Sequence, residues 1–299
     1  MKNYSMNNKL KIHFFTIVLN GMPFIKEHIE VFLKIAPDWH WHIIEGVAEL
    51  KNDTGWSVAN GGRIENSFHN DGFSNDGTTE YLDSLKQQFP NQISIYRKPH
   101  GEFWNGKIEM VNTPLPSISE ECLLWEIDVD EFWSAYQINQ AHKLFSSNPN
   151  KFAAFYWCNY FVGRDILIST RNGYANNPSF EWERTWRFLP HFRFAAHEPP
   201  TLVEKTYGGH IKAIRTRGVF SHEETEKAGL VFRHYAYVFE SQLQFKEVYY
   251  GYHGAVSDWR RLQNNSFFPT KLSDFFKWVN DETLVDTAEN LGIEPMSND

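Results

Sequence analysis

The sequence predicts an α/β fold in which a mixed, mainly parallel sheet is flanked by helices, followed by an aromatic-rich half and closing helices. Three observations lead there. Apolar, β-rich runs alternate with helical periodicity up to residue 135, the pattern of strands joined by helical crossovers. These runs are continuous rather than alternating in polarity, which is how strands covered on both faces read. With 299 residues and 41% hydrophobic content, the chain can bury a substantial core as one large domain or two small ones.

The first strand is "KIHFFTIVL" (11–19). In the following "NGMPFIKEHIEVFLKIA", Asn20 and Gly21 make a turn, Pro23 suits a first helical position, and Ile25, Ile29, Phe32 and Leu33 form one apolar stripe. "WHWHIIEG" (39–46) is a second strand ending on Glu45 and Gly46. Segment 47–75 is polar with little periodicity and reads as an inserted loop. Asp76 and Gly77 then turn into a helix with Tyr81, Leu82 and Leu85 inward, stopped near Pro90. "QISIYRKP" is the third strand and "CLLWEIDVD" the fourth. Ligand sites of such sheets lie at the carboxyl ends of the strands, where Glu45, Asp128 and Asp130 fall. Beyond residue 135, "FAAFYWCNYFVG" (152–163) and "LVFRHYAYVFE" (230–240) read as aromatic strands flanking the irregular stretch 164–229. Segments 241–263 and 270–292 read as amphipathic helices. Three regions result: 1–135, 136–240 and 241–299.

A formal charge of −8 disfavours a broad grip on nucleic acid. The two cysteines, Cys122 and Cys158, sit in apolar settings without metal-type spacing and read as reduced thiols. The N-terminal apolar run is too short to span a bilayer, so no transmembrane segment and a cytoplasmic location are expected. Phe275, Phe276 and Trp278 pack on the body by default, with peripheral membrane contact as the other option. Aromatic residues make up 16% of the chain, including eleven Trp. Most are core, although flat rings also stack on sugars and bases.

The segment "LLWEIDVDEFW" (123–133) carries the chemistry. On a strand, Glu126, Asp128 and Asp130 point to one face, and Glu131 follows at once. Carboxylates gathered among Leu124, Ile127 and Val129 need a cation to offset repulsion and desolvation. Mg2+ or Mn2+ suits oxygen ligands, with a diphosphate completing the shell. A solvated strand end is the plainer alternative. His40 and His42 share a strand face without a carboxylate pair nearby and read as structural.

Here the chain resembles the GT-A glycosyltransferases, Rossmann-like enzymes, in particular family 2-like members with an Asp-x-Asp-Glu-Phe segment. The resemblance rests on "FFTIVLNGMPFIKEHIEVF", on "IIEG" followed later by "NDGTTEYLDSL", and on "LLWEIDVDEFW". It is clear over residues 11–133 and loose over the rest, and the family's "DGSxDGT" element is interrupted here by about 25 extra residues. It implies a nucleotide-sugar-binding region in 1–135 and an acceptor-binding region in 136–240. Asp130 would bind the metal, and Asp128 the ribose or the metal through water. Glu45 would touch uracil or ribose with Asp76 supporting that pocket, Thr16 to Asn20 would contact the base, and Lys107 would lie near the diphosphate. A late histidine would be a further metal ligand, from His234, His197 and His222: His234 first and His197 second.

The implied activity is metal-dependent transfer of a sugar from a nucleoside-diphosphate donor, a UDP-sugar first among them. If the anomeric centre inverts, a carboxylate must take the acceptor proton. Glu198 is the choice over Glu131, Asp165, Glu181 and Glu183, because His197 and two prolines flank it in the acceptor half. Trp157, Tyr160, Trp182, Trp186 and Tyr235 are candidate platform residues. Arg184, Arg187 and Arg193 either recognise an anionic acceptor or pair with Glu181, Glu183 and Glu198. No residue selects among glycan, small-molecule and protein acceptors, or sets the oligomeric state. A nucleotidyltransferase is disfavoured because "LNGMPFIKEH" lacks a Gly-rich loop. A non-catalytic carbohydrate- or nucleotide-binding protein on a degenerate GT-A fold remains the alternative.

Overall fold

The computed structural model describes residues 10–169 and 182–296. Strand β1 (Lys11–Val18) leads into helix α1 (Ile25–Phe32), and β2 (Trp39–Glu45) follows. Ile25, Ile29 and Phe32 are buried as the stripe predicts, but Leu33 is 56% exposed because the helix ends one residue before it. Segment 47–75 is more than a loop. It contains α2 (Gly55–Ala59) and a single 3-10 turn, Asn66–Phe68. Next come α3 (Thr78–Gln88), with Leu82 and Leu85 buried, β3 (Ile93–Tyr96) and α4 (Lys107–Asn112).

Strand β4 (Cys122–Glu126) is shorter than its polarity pattern suggests. Ile127 N still donates to Phe15 O at 3.0 Å, but Glu131 N then donates to Asp128 O at 3.0 Å, closing a turn. The period-2 pattern therefore stops at Glu126, and Asp128 and Asp130 do not share a strand face with it. After the turn come β5 (Glu131–Phe132) and α5 (Ala135–Ser147), whose start is fixed by a reciprocal Ser134–Gln137 capping box.

The aromatic half supplies short strands: β6 (Ala153–Phe155), β7 (Cys158–Tyr160), β8 (Ile166–Ile168), β9 (Glu183–Phe188), β10 (Arg193–His197), β11 (Pro200–Lys205), β12 (Ile211–Ala213) and β13 (Val219–Phe220). Helix α6 (His222–Lys227) and β14 (Phe232–His234) follow. Segment 241–263 is two helices, α7 (Glu240–Tyr249) and α8 (Ala255–Gln263). Between them Gly251 has φ +71°, and a Cβ there would lie 2.4 Å from Asn60 O. The helix expected over 270–292 is absent. β15 (Thr270–Lys271) and β16 (Leu284–Thr287) pair instead, and the helical parts are a 3-10 turn, Leu272–Asp274, and the short α9 (Ala288–Leu291). The β-branched Val285 and Thr287 continue onto β8, which pairing in space favours over a marginal helical stripe.

The central sheet has the order β13-β6-β9-β4-β1-β2-β3. β1 is parallel to β2 and β4, and β2 to β3, whereas β9 runs antiparallel to both neighbours. One face packs Phe14, Trp41 and Trp125 against α1 and α5, with Phe14 and Phe32 stacked at 4.1 Å. Such a ring pair adds about 0.5–1.5 kcal/mol beyond its area burial. The other face packs Phe15, Leu124 and Trp186 against α4 and Phe194. A third cluster, around Tyr237, Leu243, Leu262 and Phe276, joins α7 and α8 to the C-terminal hairpin. Neither Cys122, which is buried, nor Cys158, which is half-buried, is in a disulfide. Among the described residues no helix is long and apolar enough to cross a membrane.

Candidate functional site

A cavity of about 1120 Å³ opens at the carboxyl ends of β1 and β4. That is where a parallel sheet leaves strand ends and loop backbone free to meet a ligand. Its walls include residues 17–20, the turn 128–130, His197 and Glu198 at the end of β10, and α7.

The charge of the acidic segment is balanced from β9. Arg184 Nε donates to Glu131 Oε1 and Oε2 at 2.9 and 3.0 Å, and Nη2 donates to Glu131 Oε1 at 2.7 Å and to Asp128 Oδ2 at 3.3 Å. Nη1 lies 3.9 Å from Glu126 Oε2. Burial opposes the guanidinium charge, but Glu131, Asp128 and Glu126 outweigh it and hold Arg184 well above its ordinary range. Burial in turn pushes the Glu131 carboxyl up to about 7 against the pull of Arg184. Asp128 is also raised, by burial first and by Glu126 and Asp130 beside it.

Asp130 behaves differently. His234 Nε2 lies 3.4 Å from its Oδ1, and Gln242 Nε2 of α7 donates to Oδ2 at 3.4 Å. Burial works against the Asp130 charge, yet the neighbouring His234 holds its pKa below the ordinary value. The Nδ1 atom of His234 is buried and has no hydrogen-bond partner among the described residues. Among the described residues no three His, Cys, Asp or Glu groups are arranged to hold an ion by themselves. The donor set still fits Mg2+ or Mn2+, which bind through one or two carboxylates and complete their shells with water and phosphate oxygens. Asp130 and His234 would be its protein ligands. Asp128, 31% exposed and turned toward Arg184, lies within the same turn.

Across the cavity, Lys107 is ion-paired with Glu198 and donates to Tyr250 Oη at 3.1 Å. Burial opposes the Lys107 charge, but Glu198 holds its pKa well above the ordinary value. Burial likewise opposes the Glu198 charge, while Lys107 and then His197 hold it below the carboxylate range. His197 Nε2 donates to Glu126 Oε1 at 3.0 Å, and its Nδ1 lies 3.9 Å from Glu198 Oε1.

Of the sequence candidates, Asp128, Asp130, His234, Lys107, Glu198, Asn20 and Asp76 line this cavity. Asn20 and Asp76 do so with occupied side chains. Asn20 donates to Phe68 O and accepts from Asn75 N, and Asp76 accepts from Met22 N and Thr78 N. Glu45 does not face the cavity. It is fully buried, accepting from Arg97 Nε at 2.6 Å, Thr79 Oγ1 at 2.5 Å and Ser74 N at 3.3 Å. Thr16 is spent between Ile127 O and Trp41 Nε1. A strand end places a residue near the crevice, but the pleat turns alternate side chains into the core.

Trp157, Tyr160 and Trp182 are on the wall, whereas Trp186 is core and Tyr235 packs on Phe24 and Phe132. Arg187 pairs with Glu121 and Arg193 is exposed on β10. Glu183 is buried against Arg215, Asp165 is exposed outside the cavity wall, and Glu181 lies outside the described residues. His222 stacks on Trp157 at 4.1 Å and is not part of the described wall. His40 and His42 stack with His13, consistent with a structural role.

Sequence reasoning missed the contribution of α7 to the wall: Gln242, Phe245, Lys246 and Tyr249. Gln242 and Lys246 stand four residues apart, which puts them on one helix face and is the pattern that could have revealed them.

No family model matches the chain, and no curated protein matches it by sequence. Among solved structures, a mannosyltransferase of Pyrobaculum calidifontis in complex with GDP-Man and Mn2+ is 14% identical, with a TM-score of 0.35 over 51% of this chain and 37% of the other. TarS 1–349 of S. aureus is 11% identical, with a TM-score of 0.37 over 60% and 47% of the two chains. The same TarS segment in complex with UDP-GlcNAc gives 11% and 0.36 over 60% and 45%. The chain spans less than half the length of each of these structures. Likeness of this extent does not bear on what the chain does.

Proposed function

We propose that the chain is a metal-dependent glycosyltransferase that moves a sugar from a nucleoside diphosphate, a UDP-sugar foremost, to an acceptor hydroxyl. The observation that carries this reading is the meeting of Asp130 and His234, from separate segments, at the strand-end cavity. Mg2+ or Mn2+ held there by Asp130 and His234, with Asp128 beside them, would offset the charge of the departing diphosphate. The chain's own residues do the rest. Arg184 keeps the 126–131 carboxylates from repelling one another, so the turn holds its shape. In an inverting transfer, the acceptor oxygen bonds to the anomeric carbon, the bond from that carbon to the phosphate oxygen breaks, and Glu198 takes the acceptor proton. Glu198 is ionised at neutral pH, as this role requires, but Lys107 must loosen for the carboxylate to accept a proton.

Two observations favour a second reading, a non-catalytic carbohydrate- or nucleotide-binding protein. Arg184 already balances the acidic segment, and Thr16 and Glu45 are turned away from the cavity. A thermal-shift panel of UDP, GDP, CDP and dTDP with and without Mn2+, on the wild type and Asp130→Ala, tests the site. A nucleotide that raises Tm only with Mn2+ and only in the wild type supports the leading reading and names the donor class. Binding of the matching nucleotide sugar without turnover in the presence of sugar and glycan acceptors would move the second reading to the front. No shift with any nucleotide removes both nucleotide-based readings.

A further inference from the structure

Among the described residues three Lys and Arg side chains line the cavity: Arg184, Lys107 and Lys246. Two are spent. Arg184 is committed to Glu131, Asp128 and Glu126, and Lys107 to Glu198. Lys246 Nζ instead sits over two rings, 5.0 Å from the Tyr237 centroid and 5.7 Å from that of Tyr250. Among the described residues its ammonium makes no hydrogen bond and no ion pair. The ring faces attract the charge but accept none of its three N–H donors in the way a carboxylate or phosphate oxygen would. Burial opposes this charge, but Tyr237, Tyr250 and Asp130 outweigh it, so the group stays cationic at neutral pH.

Its position is set by α7. Gln242 reaches Asp130 Oδ2, and Lys246 follows one helical turn later on the same face, about 5–6 Å along the helix. The acids on the described wall are Asp76, Glu126, Asp128, Asp130 and Glu198. An anion approaching them is repelled unless a cation faces it, and among the described residues Lys246 is the cavity cation with donors to give.

We infer that Lys246 is an anion-binding residue that takes the terminal phosphate of a diphosphate lying alongside Asp130. The inference rests on the glycosyltransferase reading for the identity of the ligand, but the anion site itself does not depend on it. It also makes a statement about donor class. A donor whose leaving group is a diphosphate spans from the Asp130 turn to Lys246, whereas a nucleoside or nucleoside monophosphate falls short of the ammonium.

Calorimetric titration of uridine, UMP, UDP and inorganic pyrophosphate in Mn2+ buffer, on the wild type, Lys246→Gln and Lys246→Arg, tests this. A hydrogen-bonded ion pair of this kind corresponds to roughly a 10- to 100-fold change in Kd. UDP and pyrophosphate should weaken by that factor in Lys246→Gln and recover to within about threefold in Lys246→Arg, with uridine and UMP unchanged. UDP binding that is equal in Lys246→Gln and wild type overturns the inference and leaves the glycosyltransferase reading standing. Equal weakening of uridine and UDP also overturns it, because Lys246 then acts through packing on Tyr237 and Tyr250. If the wild type binds pyrophosphate but no nucleotide, and Lys246→Gln loses it, the anion site stands and the nucleotide-sugar reading falls. A wild type that binds neither UDP nor pyrophosphate overturns the inference.

Discussion

Replacing Arg184 with Met should destabilise the protein in a pH-dependent way. The change removes three hydrogen bonds of 2.7–3.0 Å to Glu131 and one of 3.3 Å to Asp128, and leaves Glu131 wholly buried without its counter-charge. Breaking a buried ion pair from one side costs about 3–5 kcal/mol. Glu131 has an escape, because burial already pushes its carboxyl up to about 7 and loss of Arg184 moves it higher. The sign follows from proton uptake. A carboxyl whose folded pKa exceeds its unfolded value of about 4.5 binds more protons when folded, so stability rises as pH falls through the folded pKa. The deficit of Arg184→Met should therefore be largest near pH 8.5 and smaller near pH 5.5. Every further pH unit by which the mutation raises Glu131 narrows it by about 1.4 kcal/mol across that window. Urea denaturation of both proteins at pH 5.5, 7 and 8.5 measures this, and adding Glu131→Gln to Arg184→Met should recover part of the loss at pH 8.5. A deficit below about 1 kcal/mol at pH 8.5, or one equal at all three pH values, refutes the argument that Arg184 is the counter-charge.

Acid should destabilise the fold through buried histidines. Burial lowers His13 to about 3 and His42 to about 2, with Lys11 assisting at His13 and His40 at His42, and burial lowers His28 to about 4. Each is neutral in the folded protein, so below its unfolded pKa of about 6.5 the unfolded chain takes up protons first and stability falls. His42→Leu should shrink the stability lost between pH 7 and pH 5 by about 2 kcal/mol, and an unchanged loss in parallel denaturation curves would contradict this. Glu198→Gln should lower kcat by about 10²- to 10⁴-fold while leaving the Kd for nucleotide within a few-fold, and retained turnover would exclude Glu198 as the base. Thr16→Val should cost about 1–3 kcal/mol by leaving Trp41 Nε1 without its acceptor, with no change in nucleotide affinity by titration.

Much of the scaffold is legible in the sequence because its information is local. β1, β2 and β3 read as apolar, β-rich runs and α1 and α3 as 3.6-residue stripes within their own residues, and their order implies parallel strands with a crevice at the carboxyl ends. The period also misleads where a competing contact lies elsewhere. "EIDVD" alternates like a strand, but the Asp128–Glu131 turn ends β4 at Glu126. Segment 270–292 has a helical stripe, and pairing with β8 makes Leu284–Thr287 a strand.

The sequence by itself determined that 126–131 concentrates acid at a strand end, that some cation must balance it, and that late histidines are candidates to join it. Only the tertiary structure decided that this cation is Arg184, 53 residues from Glu131, and that His234 rather than His222 reaches Asp130. It also decided that Glu45 and Thr16 face inward and that α7 turns Gln242 and Lys246 to the cavity. The physical reason is that charge pairing and desolvation depend on distance in space, and residues far apart in the chain have no fixed distance until sheet order and helix docking bring them together.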